Sequence, residues 1–209
     1  MNKEKEIFCF SARKLQKLHM DAEDLWRVPA KSGWQKSPVS PMDVLRLFSK
    51  LKIKRGYELI AYMFRKGLQG KGVVWAVPEG HFPEVEECMK LDEVGTPKPE
   101  KALPPSRVLD GDRSPESYIQ ASIFLREMDE FGALWYELKW GLHEIIDEVP
   151  EEFHLPETLD VRPRTVFEND TITEFFTLEL LEKRIYRHSD TFEGYSLKNQ
   201  IDEKYGSGW

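Results

Sequence analysis

His143 and Asp147 are the pair in this chain best suited to chemistry, because four positions separate an imidazole from a carboxylate. On a helix they meet one turn apart. The carboxylate then orients the ring as a general base, or the two offer ligands to a divalent metal with Glu144 beside them. They end a run of Ala133, Tyr136, Trp140, His143 and Asp147 whose steps of three and four place all five on one helical stripe. A surface helix is polar on its outward side, so two aromatics leading to that pair mark a candidate ligand-binding face, with Tyr136 and Trp140 as its walls. The plainer reading carries more weight: Tyr136 and Trp140 pack on a sheet, and the pair sits satisfied at its edge. A metal centre needs further ligands from His188, His154 or His81, and no spacing gathers them. Neither metal nor cofactor is expected.

A second group is Arg184, Arg187 and His188 with Tyr186, which together would suit a phosphate or carboxylate. Alternating Arg and aromatic residues on a strand more commonly make cross-strand pairs with Glu and Thr. The glycines at 67, 70 and 72 around Lys71 resemble a phosphate loop only superficially. No Ser or Thr follows the Gly-Lys, and the segment leads into a strand where a helix is required. Four basic residues within 50–55, with Trp34 upstream, could touch a nucleic-acid backbone, but solvated charge at a helix end explains them more simply. The chain contains no Gly-x-Ser-x-Gly, His-Glu-x-x-His or Gly-x-Gly-x-x-Gly motif.

The element that must position the first group is a helix. Ala121, Phe124, Met128, Phe131, Trp135, Leu138, Leu142, Ile145 and Val149 recur at alternating steps of three and four. Ser114 and Pro115 form a helix start, and Pro150 forms a stop. The spacing therefore predicts one long helix over 114–148, roughly 50 Å at about 1.5 Å per residue. Gly132 and Gly141 are its weak points, where it would kink or split, or let another backbone come close. Shorter helices are expected over 11–25, over 40–51 with Ser40 as cap, and within 83–91.

Strand patterns occupy 73–78, 165–167, 171–180 and 183–188, and 57–65 reads as strand or helix, taken here as the partner of 73–78 in a hairpin. Ile172, Phe176, Leu178 and Leu180 alternate with Thr171, Thr173, Thr177 and Glu179, the pattern of a half-buried strand. Segments 92–113 and 151–164 are proline-containing connections. The tail over 190–209 is polar and expected to lie loosely on the surface, with Trp209 as an anchor.

The fold expected is α+β in one domain over 1–209: an antiparallel sheet of about five strands, hairpin plus C-terminal meander, packed on the long helix. The length of 209 residues, 40% hydrophobic content and six tryptophans suit a packed globule. A net charge of −7 argues against general affinity for nucleic acid or anionic membrane. Two distant cysteines exclude a disulfide framework. No secretory or membrane-spanning apolar run is present, so a cytoplasmic location is expected. The function expected is non-catalytic binding of a protein or small-molecule partner. A hydrolase-like enzyme using His143 with Asp147, or weak nucleic-acid binding through 50–55, stands behind it. A regular stripe serves a monomer core and a homodimer seam equally well.

Overall fold

The computed structural model describes residues 5–156 and 158–207. Trp209, the expected anchor, lies outside the described residues. In chain order the first half forms β1 (Glu6–Cys9), α1 (Ala12–Trp26), β2 (Gly33–Lys36), α2 (Pro41–Leu47), β3 (Leu51–Ile53), β4 (Tyr57–Lys66), β5 (Gln69–Pro78), β6 (Met89–Lys90), β7 (Pro97–Lys98) and β8 (Leu109–Gly111). The second half forms α3 (Pro115–Glu130), β9 (His143–Ile146), β10 (Arg164–Phe167), β11 (Thr171–Glu179), β12 (Arg184–Glu193) and β13 (Ser196–Ser207). The α+β class is as expected, and every strand pairing is antiparallel.

The expected single sheet is replaced by two main ones. Strands β10 to β13 run as a meander with β1 on the outer edge of β10, in the order β1-β10-β11-β12-β13. Strand β9 shares an edge of β11 with β10: β10 pairs with Thr171–Glu174 positions and β9 with Phe176–Glu179 positions. The β4–β5 hairpin, turned through Gly67 and Leu68, instead forms a separate sheet with β2.

The long helix over 114–148 is not found. Ser114 caps α3 and Pro115 opens it, as the sequence indicated, but the helix ends at Glu130 after 16 residues, about 24 Å. Gly132 adopts a φ of 75°, the left-handed conformation that stops a helix. The turn is locked from outside, because Gly72 of β5 passes under it so closely that a Cβ there would lie 2.1 Å from the Phe131 carbonyl oxygen. The chain then runs through two short 3-10 turns, Trp135–Glu137 and Trp140–Leu142, into β9. Ala121, Phe124, Met128 and Phe131 are buried as the stripe required, whereas Trp135 is 69% exposed.

Helix α3 touches both sheets and α1, and nearly every residue from Ser117 to Met128 is buried. A helix covered all round needs partners for its polar residues. Glu127 meets them in α1 and Arg126 in the large sheet. Strand β11, expected to be half-buried, is buried on both faces from Thr173 to Glu179. Phe176 and Leu178 pack on Phe153, Val161 and Ile185, while the threonine side turns toward α3. The tail expected to be loose is strand: β12 continues to Glu193 and β13 adds twelve residues at the edge. Among the described residues, no helix is long and apolar enough to cross a membrane.

Candidate functional site

Sheet register decides which side chains meet. Thr177 lies opposite Ile145 of β9 and Tyr186 of β12, Phe175 lies opposite His188, and His188 opposite Asp202 of β13. Since strand side chains alternate between faces, Thr173, Thr177, Glu179, His143, Tyr186, His188, Asp190 and Asp202 share one face. That face and the end of α3 with its following loop enclose a cleft of about 760 Å³. His143, His188, Tyr186, Trp140 and Asp202 all line it.

A chain of hydrogen bonds crosses the floor. His188 Nδ1 lies 2.6 Å from Asp202 Oδ1, His188 Nε2 lies 2.8 Å from Thr177 Oγ1, and the same hydroxyl lies 2.7 Å from His143 Nδ1. Burial pushes both imidazoles down to about 4, so both are neutral near pH 7. The direction of each bond then follows. The carboxylate only accepts, so His188 donates from Nδ1 and its Nε2 carries a lone pair. Thr177 has one hydrogen and gives it to that lone pair, so His143 must donate to Thr177 from Nδ1. His143 Nε2 is therefore an unprotonated acceptor.

Arg126 of α3 anchors the other end. Its guanidinium bonds both oxygens of Asp190, at 2.6 and 3.0 Å, and Asp202 at 2.6 Å. Burial opposes its charge, but the two carboxylates outweigh that and raise its affinity for the proton further. Burial would also raise Asp202, yet the His188 hydrogen bond and the Arg126 charge hold it far below the usual carboxylate range. Arg126 lies over the faces of Phe175 and Trp140, with 5.2 and 5.8 Å to the ring centroids.

The loop from 131 to 142 is held by two glutamates of α3. Glu130 accepts the backbone N–H groups of Lys139, Trp140 and Gly141. Glu127, with no exposed surface, accepts His19 Nδ1 at 2.5 Å, Trp26 Nε1 at 3.1 Å and Trp140 Nε1 at 2.6 Å. Burial would lower His19, but the Glu127 hydrogen bond and charge outweigh it and raise the imidazole above its ordinary value. Trp140 is thus nailed in place from behind, with its ring 6.0 Å from that of His143.

The residues singled out from the sequence divide. His143, Trp140 and His188 come together in the cleft. Asp147 does not join them: beyond the end of β9 it lines a separate hollow of about 510 Å³ against α1, with Glu144, Arg13 and Lys17. The helical pairing of His143 with Asp147 disappears with the helix, and Asp202, acting through His188 and Thr177, supplies the carboxylate. Tyr136 is 80% exposed and does not line the cleft. Arg187 turns to the opposite sheet face and bonds Glu174 of the neighbouring strand, the cross-strand pairing favoured from the sequence, and Arg184 pairs with Glu182, so the alternative anion cluster is not assembled. Among the basic residues at 50–55, Lys50 and Lys52 pair with Asp112 and Asp110. Among the described residues no cluster of three His, Cys, Asp or Glu side chains could hold a metal ion.

Arg126, Thr177, Asp190 and Asp202 were not singled out from the sequence. The usable signal was the polar series Thr173, Thr177 and Glu179 recurring every second or fourth residue, matched by His188 and Asp190 on the next strand. No family model, curated protein or solved structure matches the chain. The site stands on its own geometry.

Proposed function

We propose that the protein binds a small polar molecule in the cleft over β11, β12 and β13, as a binding protein without chemistry of its own. The observation that carries this reading is His143 Nε2: an acceptor on the cleft lining, with its ring fixed by Thr177 and flanked by Trp140 and Tyr186. A volume of about 760 Å³ suits a small ligand. An imidazole pushed down to about 4 is a good neutral acceptor and a weak base at neutral pH, which favours holding a ligand over removing its proton.

The test is a small-molecule fragment library titrated into isotope-labelled protein. Binders that shift His143, Trp140 and Tyr186 resonances, and that His143→Ala weakens, support the reading. Binders that gather only in the hollow beside Asp147, or none at all, oppose it.

The relay itself favours a second reading, a hydrolase-like enzyme in which His143 accepts a proton and Asp202 steadies the chain behind it. Turnover of p-nitrophenyl acetate or p-nitrophenyl phosphate that His143→Gln abolishes without loss of stability would support that reading over binding alone.

A further inference from the structure

We propose that the cleft selects a ligand bearing an ammonium group, with one N–H donated to His143 Nε2 and the positive charge held by the surrounding carboxylates. This deepens the binding reading above and rests on it. Two independent features point the same way.

The first is the tautomer. Because Thr177 gives its only hydrogen to His188, His143, which lines the cleft, carries a lone pair on Nε2 and has no hydrogen on that nitrogen to offer. A ligand facing it must bring a donor, and an acceptor group such as a carboxylate or phosphate oxygen would meet it lone pair to lone pair.

The second is charge that the protein leaves unspent. The lining holds carboxylates from Asp129, Glu130, Glu137, Glu179, Glu182 and Asp202 against cations from Arg126, Lys71 and Lys139. Arg126 is consumed by Asp190 and Asp202, and Lys71 lies 3.8 Å from Asp92, so that Lys139 is the lining cation without an ion pair among the described residues, against several carboxylates. The side-chain carboxylates of Asp129 and Glu137 have neither an ion pair nor a hydrogen bond among the described residues. The Tyr186 ring, 5.1 Å from that of His143, adds an electron-rich aromatic wall of the kind that accommodates cations. An anion entering here would face unpaired carboxylates, whereas an ammonium group would complete them.

Three four-carbon probes isolate the claim: putrescine is a dication, 1,4-butanediol is neutral and succinate is an anion. Each is titrated into the full chain at low salt while the His143 ring and the backbone amides are followed by NMR. The expected result is that putrescine shifts His143 and Tyr186, binding at least about tenfold tighter than butanediol, with no succinate binding. Added salt and the exposed double substitution Asp129→Asn with Glu137→Gln each weaken it several-fold. Succinate or butanediol binding at the cleft as tightly as putrescine overturns the inference and leaves the binding reading standing. Putrescine confined to the hollow beside Asp147 also overturns it. If neither these probes nor the fragment library reaches the cleft, both fall together.

Discussion

The Nδ1 of His188 lies 2.6 Å from Asp202 Oδ1, and this contact sets the tautomer of His143, which Asp202 does not touch. The information passes through the Thr177 hydroxyl, which has no exposed surface and a single hydrogen. A carboxylate on the edge strand thereby decides whether the cleft presents an acceptor or a donor. Each link has a measurable consequence.

Thr177→Val keeps the shape of the side chain and removes the hydroxyl, leaving both imidazoles without that partner. A loss of about 1–3 kcal/mol is expected, the cost of buried polar groups left unpaired. Thr177→Ser should restore most of it. Urea unfolding of the three proteins checks this, and a valine variant as stable as wild type would show that the hydroxyl bridges nothing.

Arg126→Met removes a guanidinium that is 4% exposed and strands Asp190, itself 1% exposed. Leaving one buried charge alone costs about 3–5 kcal/mol. Adding Asp190→Asn to Arg126→Met should recover a good part of that loss, since the stranded charge is gone. Equal instability of the single and double variants would mean that the cost comes from lost packing on Phe175 and Trp140 instead.

Stability should fall as pH drops from about 6.5 to about 4. His143 and His188 are held at about 4 in the folded chain, against about 6.5 for a free imidazole. Over that window the unfolded chain binds more protons, so the stabilisation is complete above the window and lost through it. His19 runs the other way: its raised folded value stabilises the protein below about 6.5, and that contribution fades as pH rises through the raised value. Unfolding free energies measured between pH 4 and 6.5 should show a smaller slope in His143→Gln. An unchanged slope would contradict the assignment of a neutral His143.

Gly72→Ala should destabilise by about 3 kcal/mol, the upper end for overpacking. A methyl group there collides with the Phe131 carbonyl and crowds the Tyr62 carbonyl oxygen, and both are backbone groups that cannot swing aside. The same methyl at Gly56, where the space around it is open, tests the contrast: any loss there reflects only the φ of 85°. Thermal unfolding of both variants suffices.

The part of this architecture legible in the sequence is the part governed by local rules. Ser11, Ser40 and Ser114 cap the three α-helices, and Pro41 and Pro115 sit where a missing N–H does no harm. The β4–β5 hairpin and the meander from β10 to β12 follow from alternation and turn residues. The helix over 114–148 failed because apolar recurrence at three and four persists by coincidence past Phe131. Ile145 is buried because it faces inward from a strand, whereas Leu138 and Leu142 are only half-buried, at the ends of the two short turns beside Trp140. Gly132 stops the helix, and its effect depends on Gly72, a residue sixty positions away that no local pattern reveals.

The site was half visible for the same reason. His143 and His188 stood out by type, but their connection runs across three strands and through a threonine. Thr173, Thr177 and Glu179 alternate with apolar residues, which reads as a solvent face. In the fold that face meets Ser122 and Arg126 of a buried helix. Alternation reports that two faces differ in polarity and is silent on which is wet. Only the register of β9, β11, β12 and β13 joins Asp202 to His143.

The most direct measurement is the side-chain ¹⁵N spectrum of His143 near pH 7, recorded for wild type and for Asp202→Ala. In wild type, Nδ1 should carry the proton and Nε2 should resonate as an unprotonated nitrogen. In Asp202→Ala, His188 is free to hold its proton on Nε2, the Thr177 hydroxyl can reverse, and His143 should show a population protonated on Nε2. A wild-type His143 protonated on Nε2, or a tautomer indifferent to Asp202, would contradict the relay and remove the acceptor on which the binding site is built.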